Sequence, residues 1–265
     1  MTIMAWADLK TTDFRSLDRD ATVAVLPLGA IEQHGPHLPI STDSLILAGL
    51  LERLRANRLD RGRALVLPLM PVGLSTEHTS FPGTLTVGAS HLLASWSDLG
   101  RSVARAGIRR LVFLNSHGGN TALLDVVSRE LRHELGMLVV AVTTHRFDLP
   151  LDAVPDDEAR FGIHGGAVET ALVQAFAPHL VDRDALAAFP SNEAAIVERN
   201  PDLGTCAGPA RIAWMAEDLN RNGAVGDTLL ASPELGERLV ADLVTRLVRV
   251  LDDVLALPLP PTVSR

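Results

Sequence analysis

Apolar residues follow two rhythms along this chain. Short, nearly unbroken runs rich in valine and leucine occupy residues 21–28, 64–71, 110–115 and 137–144. Runs of that length, bounded by polar or turn-forming residues, predict buried β-strands. Pro68 interrupts the second run and places it near a sheet edge or strand end. Between the runs, apolar residues recur every three or four positions over 44–59, 90–106, 121–135, 164–176 and 233–255, which predicts amphipathic helices. Leu45, Leu47, Leu50, Leu51 and Leu54 mark one such face, and Gly107 and Gly136 stand where two of the helices should stop. Strands that alternate with helices predict an α/β fold, a single domain over 1–265 with a mostly parallel central sheet flanked by helices. The proline-rich tail from about residue 256 is expected to be peripheral. Residues 1–20 are polar and predict a surface helix and turn. Residues 149–161, acidic and proline-containing, predict a mobile surface loop, and 180–230 has no periodicity that assigns an element.

Polar clusters follow the strands. Residues 29–43 read Gly-Ala-Ile-Glu-Gln-His-Gly-Pro-His-Leu-Pro-Ile-Ser-Thr-Asp, which places Glu32, His34, His37 and Asp43 around the stiffening Pro36 and Pro39. Glu32 and His34 are two apart, so an extended segment would point both to one side, and Asp43 stands where the next helix begins. Carboxylates and imidazoles gathered on one stiff loop read as a metal site. His117-Gly-Gly-Asn120 follows the third strand, His145 the fourth, and His164 and Glu169 open a helix. Sites in open parallel sheets form beyond the carboxyl ends of the strands, which puts these clusters on one rim. Gly118 and Gly119 permit close backbone approach. An oxyanion loop of the His-Gly-Gly kind would need a Gly-x-Ser-x-Gly nucleophile elbow, and the chain has none. It also lacks His-Glu-x-x-His, which removes zincin chemistry.

Glu32, His34, Asp43, His117 and Glu169 are too many ligands for one open zinc site. They suit two divalent ions about 3.5–4 Å apart that share a carboxylate. His164 is then left as a proton shuttle. Glu77, His78, Gly118, Gly119 and His145 are candidates for substrate contact, while His91, His133 and His179 are expected on the surface.

Composition removes other classes. A net charge of −8 with no basic stripe argues against nucleic acid. No apolar run approaches the length of a membrane span. The N-terminus lacks the pattern of a secretion signal, which predicts a cytoplasmic protein. The single Cys206 excludes an internal disulfide and a cysteine-based zinc cluster, and fits a reducing compartment.

Four ordered motifs resemble the creatininase (creatinine amidohydrolase) family: the 29–43 segment, Glu77-His-Thr-Ser-Phe-Pro-Gly-Thr-Leu-Thr86, Asn115-Ser-His-Gly-Gly-Asn120 and His164-Gly-Gly-Ala-Val-Glu-Thr170. The match extends to Asn222-Gly-Ala-Val-Gly-Asp227 and so covers most of the chain. The resemblance implies a binuclear Zn or Mn centre, a metal-activated water that hydrolyses an amide or cyclic amide C–N bond, and a homo-oligomer, often a hexamer. It also implies that Glu32 and His34 each hold one metal, Asp43 bridges both, His117 is the histidine ligand after the central strand and His164 transfers the proton. Glu169 is the candidate for the last ligand.

Two departures bear on the substrate. Creatininase proper has Tyr-Glu in place of Gly118-Gly119, and tryptophans in the segments matching 140–165, whereas Trp6, Trp96 and Trp214 lie elsewhere in the sequence. The resemblance therefore leaves open a deformylase of the same family or a peptidase like that of the mycofactocin pathway. A noncatalytic ligand-binding protein is the rival from outside the class.

Overall fold

The computed structural model describes residues 2–152, 154–205 and 209–261; Cys206 lies outside them. Its centre is a five-stranded, all-parallel sheet in the order β1-β3-β2-β4-β5, built from β1 (Ile3–Ala5), β2 (Thr22–Leu28), β3 (Arg63–Val66), β4 (Arg110–Asn115) and β5 (Leu138–Thr143). The helices are α1 (Thr11–Arg15), α2 (Thr42–Arg55), α3 (Ala89–Arg105), α4 (Thr121–Leu135), α5 (Asp156–Phe161), α6 (Ala167–Phe176), α7 (Glu193–Arg199), α8 (Ala216–Leu219) and α9 (Pro233–Ala256). The α/β architecture read from the sequence is the one observed.

The unbroken apolar runs arise because both faces of the sheet are covered. Val23, Val25, Ala64, Val66, Val112 and Leu114 pack with α2, α6 and α9, whereas Ala24, Leu26, Leu65, Leu111 and Phe113 pack with α3 and α4. The alternation of side chains along each strand therefore feeds two cores, and neither face calls for polar residues. β3 ends at Val66, before Pro68, and α4 stops at Gly136 in the left-handed conformation (φ 64°).

Three expectations are corrected. Residues 3–5 form an edge strand paired to β3 where a surface helix and turn were expected throughout 1–20; three residues are too few to show a period. Residues 156–161 form α5, whose Glu158 is buried, so the acidic segment is more than an exposed loop. The unassigned 180–230 segment holds α7, α8 and two small ladders, Ala188–Phe189 with Gly226–Asp227 and Leu203–Gly204 with Ala210–Arg211. Two-residue strands carry no readable alternation. The last turn of α9 and the chain beyond it are strapped down by Arg110, which donates to the Val254 and Leu257 carbonyls, and by Arg109, which donates to the Pro260 carbonyl.

Candidate metal centre

The carboxyl ends of β2 and β4 lie side by side, with Leu28 opposite Asn115. Beyond β2 the chain turns at Gly35 (φ 73°), a conformation that glycine adopts without strain, and re-enters as α2 with Asp43 in its first turn. Beyond β4, Asn115 fixes the next turn: its Oδ1 accepts from the His117 N–H (3.2 Å), and its Nδ2 donates to the His117 carbonyl (2.6 Å). Asn120 ties this turn to the 70s loop by accepting from the Leu74 N–H at 3.0 Å. The Leu74 carbonyl in turn accepts from His117 Nε2 at 2.6 Å.

These supports choose the tautomers. His117 Nε2–H is committed to Leu74, so Nδ1 is the nitrogen turned to Glu32 Oε1 (3.2 Å) and Asp43 Oδ2 (3.5 Å), and it is Nδ1 that must give up its proton to bind metal. His34 Nδ1–H donates to the Glu32 carbonyl (3.0 Å), which leaves Nε2 facing Asp43 Oδ1 (3.9 Å) and Glu169 Oε2 (3.7 Å). Outward hydrogen bonds of this kind orient histidines for metal. Glu32, Asp43 and His117 form one triad of convergent donor atoms, and His34, Asp43 and Glu169 form another. Asp43 belongs to both. A third group joins Glu32 and His34 to His164.

Three buried atoms here have no hydrogen-bond partner: Glu32 Oε2, His34 Nε2 and Asp43 Oδ2. Orphaned buried polar atoms are rare and call for an explanation. All three belong to the triads, which consist of oxygen and nitrogen donors only, a set that suits Zn²⁺ or Mn²⁺.

The electrostatics agree. Burial raises the Glu32 carboxyl, but His117, His78 and His164 outweigh it and hold Glu32 well below the usual range. Burial and the neighbouring Glu32 push Asp43 well above its ordinary value, and burial raises Glu169. Burial lowers His117, yet Glu32 and Asp43 overcome it and lift the imidazole to about 10. Burial, with His34 beside it, lowers His164 to about 4, and burial with His164 lowers His78 to about 3. Without a cation, the three carboxylates cannot all ionise at little cost.

His164 stacks on His78 (ring centroids 4.3 Å apart) and lies against His34 (4.2 Å) with the two rings tilted by 33°. Its Nε2–H donates to the Gln33 carbonyl at 2.7 Å, which leaves Nδ1 toward Glu32 Oε1 at 3.8 Å. His78 is buried, with Nε2 3.4 Å from Glu32 Oε1, and accepts at Nδ1 from Gln33 Nε2 (2.8 Å). Gly119 is required by packing, since a Cβ there would collide with the Leu74 carbonyl, His117 Nε2 and Glu77 Oε1. Gly118 is less crowded, with the exposed His145 above it and outside the ligand cluster. His37 turns away, with Nε2 3.0 Å from Thr170 Oγ1 and its ring stacked on Phe189.

Sequence reasoning missed Gln33, which joins His78 to the loop carrying His164, and Asn120, which braces His117 through Leu74. Both stood inside recognised motifs. It noted that every tryptophan lies outside 140–165 and gave none a role, whereas the ring of Trp214 meets His78 edge-on at 6.3 Å. No spacing in the sequence brings residue 214 to residue 78.

The chain is similar to known proteins in sequence and fold. The family model described as creatininase, creatinine amidohydrolase, matches residues 7–251. The chain is 33% identical over 239 residues to a mycofactocin precursor peptide peptidase of Mycolicibacterium smegmatis, covering 89% of this chain and 87% of the relative. It is 32% identical over 206 residues to a creatinine amidohydrolase of Pseudomonas putida, covering 69% and 78%. A mutant creatininase of Zn-Zn type superimposes with a TM-score of 0.73 at 26% identity, covering 97% of this chain and 98% of that one. With fold, ordered motifs and clustered donors in accord, this chain belongs to the creatininase family of amidohydrolases.

Proposed function

We propose that this protein hydrolyses an amide or cyclic amide C–N bond at a binuclear centre. The observation that carries this reading is Asp43, shared by two donor triads in which Glu32 Oε2, His34 Nε2 and Asp43 Oδ2 are buried without a hydrogen-bond partner. Glu32 and His117 would hold one divalent ion, His34 and Glu169 the other, and Asp43 both. Two such ions, zinc or manganese, acidify a water and polarise the scissile carbonyl when bound.

The chain's own residues supply the rest. His164 is buried and neutral, with Nε2–H anchored on Gln33 and its Nδ1 lone pair facing the cluster. A proton taken up at Nδ1 can be handed to the leaving nitrogen, which would otherwise depart as a poor anion. His78, stacked on the ring, and His34, tilted against it, restrict its orientation. Glu77, Gly118, Gly119 and His145 are assigned to the substrate side of the site, with Trp214 added beside His78.

A peptide substrate is the second reading, favoured by the 33% identity to the mycofactocin precursor peptide peptidase over most of both chains. A mass-spectrometric panel with Zn- and Mn-loaded protein separates the two, using creatinine, other cyclic amides, an N-formyl aminopyrimidine and short peptides. Asp43→Ala serves as the blank. Metal-dependent cleavage of a panel member is expected. Full metal occupancy with no cleavage in any class would refute the hydrolase reading.

A further inference from the structure

Glu158 has no part in the ligand cluster, yet it is buried. Among the described residues it forms no ion pair. Its Oε1 accepts from the Ala167 N–H at 2.8 Å and its Oε2 from the Asp227 N–H at 2.6 Å. A Cβ at Gly162, Gly166 or Gly226 would strike this carboxylate, so three glycines clear the space around it. Burial pushes its carboxyl up despite the two backbone donors. A buried carboxylate without a cation is costly, and its retention needs a reason.

The reason lies in what the two oxygens join. Ala167 is the first residue of α6, three beyond His164, and Glu169 follows in the same first turn. Asp227 is two beyond Val225, whose backbone pairs with His164: Val225 N–H donates to the His164 carbonyl at 2.6 Å and His164 N–H to the Val225 carbonyl at 3.3 Å. The carboxylate therefore clips together both sides of the ladder that carries His164. It also places negative charge at the amino end of a ten-residue helix. A glutamine would offer one acceptor and present its NH₂ to the other backbone N–H.

We propose that Glu158 is a positioning residue that acts through His164, fixing the 164–167 turn so that the imidazole holds its stacked place. This rests on the assignment of His164 as the proton carrier. The test uses full-length, metal-loaded wild type, Glu158→Gln, His164→Ala and the double variant, with metal content measured for each. Hydrogen exchange over 162–169 and 224–228 is followed, along with kcat and KM on the substrate found in the panel. In Glu158→Gln, both segments should lose protection with the metal retained, and kcat should fall about 10–100-fold while KM changes little. In the His164→Ala background the same change should cost less than about twofold, the signature of residues acting as a unit.

Equal loss in both backgrounds would overturn the proposal, as would unchanged exchange in Glu158→Gln. If His164→Ala itself leaves kcat unchanged, the proton assignment fails, and positioning by Glu158 falls with it even where exchange rises. Should Glu158→Gln not fold, Glu158→Asp, too short to reach both donors, replaces it under the same criteria.

Discussion

Replacing Asp43 with Asn should damage function and strengthen the metal-free fold. Asp43 is 2% exposed, its Oδ2 has no hydrogen-bond partner, and burial together with Glu32 and Glu169 disfavours its charge; its raised pKa already includes the attraction of His117. Asparagine keeps the shape, removes the charge and offers an N–H to Glu32. Relieving one unsatisfied buried anionic acceptor is worth about 1–3 kcal/mol, which raises the melting midpoint of a chain of this size by about 2–10 °C. The sign depends on pH in a definite way. A carboxyl raised in the folded state destabilises the fold increasingly as pH climbs from its unfolded value through its folded one. The advantage of Asp43→Asn over wild type in chelator should therefore be larger at pH 8 than at pH 5. With Zn²⁺ or Mn²⁺ at a hundred times Kd, wild type should gain about 2.7 kcal/mol for each ion bound, and Asp43→Asn almost none. The assay is thermal unfolding in chelator and in metal at both pH values. A variant less stable than wild type in chelator at pH 8, or one with the full metal-induced shift, would refute the reasoning.

His164→Ala should retain metal while kcat falls by about 10²–10⁴; metal loss measured by elemental analysis would make His164 a ligand. Gly119→Ala puts a methyl group against His117 Nε2 and the Leu74 carbonyl. Metal affinity, measured by chelator competition, should weaken about 10–100-fold as the supporting hydrogen bond is displaced. His117, held at about 10 in the metal-free protein by Glu32 and Asp43 against its burial, is protonated at neutral pH. Metal loading should therefore release protons at pH 7–8, seen as a calorimetric enthalpy that varies with the ionisation enthalpy of the buffer. A buffer-independent enthalpy would count against this assignment.

The sequence shows the sheet plainly because β2 and β4 are buried on both faces and leave runs such as Val23–Leu26 and Leu111–Leu114 with no polar residue. The candidate ligand cluster was legible for a related reason: Glu32 and His117 sit just past the ends of β2 and β4, where parallel topology forces proximity, and Asp43 opens the helix that follows the stiff 29–41 loop. What stayed hidden depends on contacts distant in sequence. Glu158 answers to Ala167 and Asp227 through backbone N–H groups, which leave no trace in residue type. Trp214 reaches His78 from a segment whose two-residue ladders have no period. His78 was a candidate for substrate contact, but its stacking on His164, 86 positions away, leaves no trace in the sequence. Gln33 stands between Glu32 and His34, yet its amide reaches His78, 45 positions away, a contact that residue type does not announce.

The central claim is that one chain holds two ions joined by Asp43. Electron paramagnetic resonance of the Mn²⁺-loaded wild type, with metal counted per chain on the same sample, tests it most directly. Two ions per chain with an exchange-coupled spectrum are expected, and Asp43→Asn should abolish the coupling. A single ion per chain, or two with the spectrum of isolated Mn²⁺, would contradict the account.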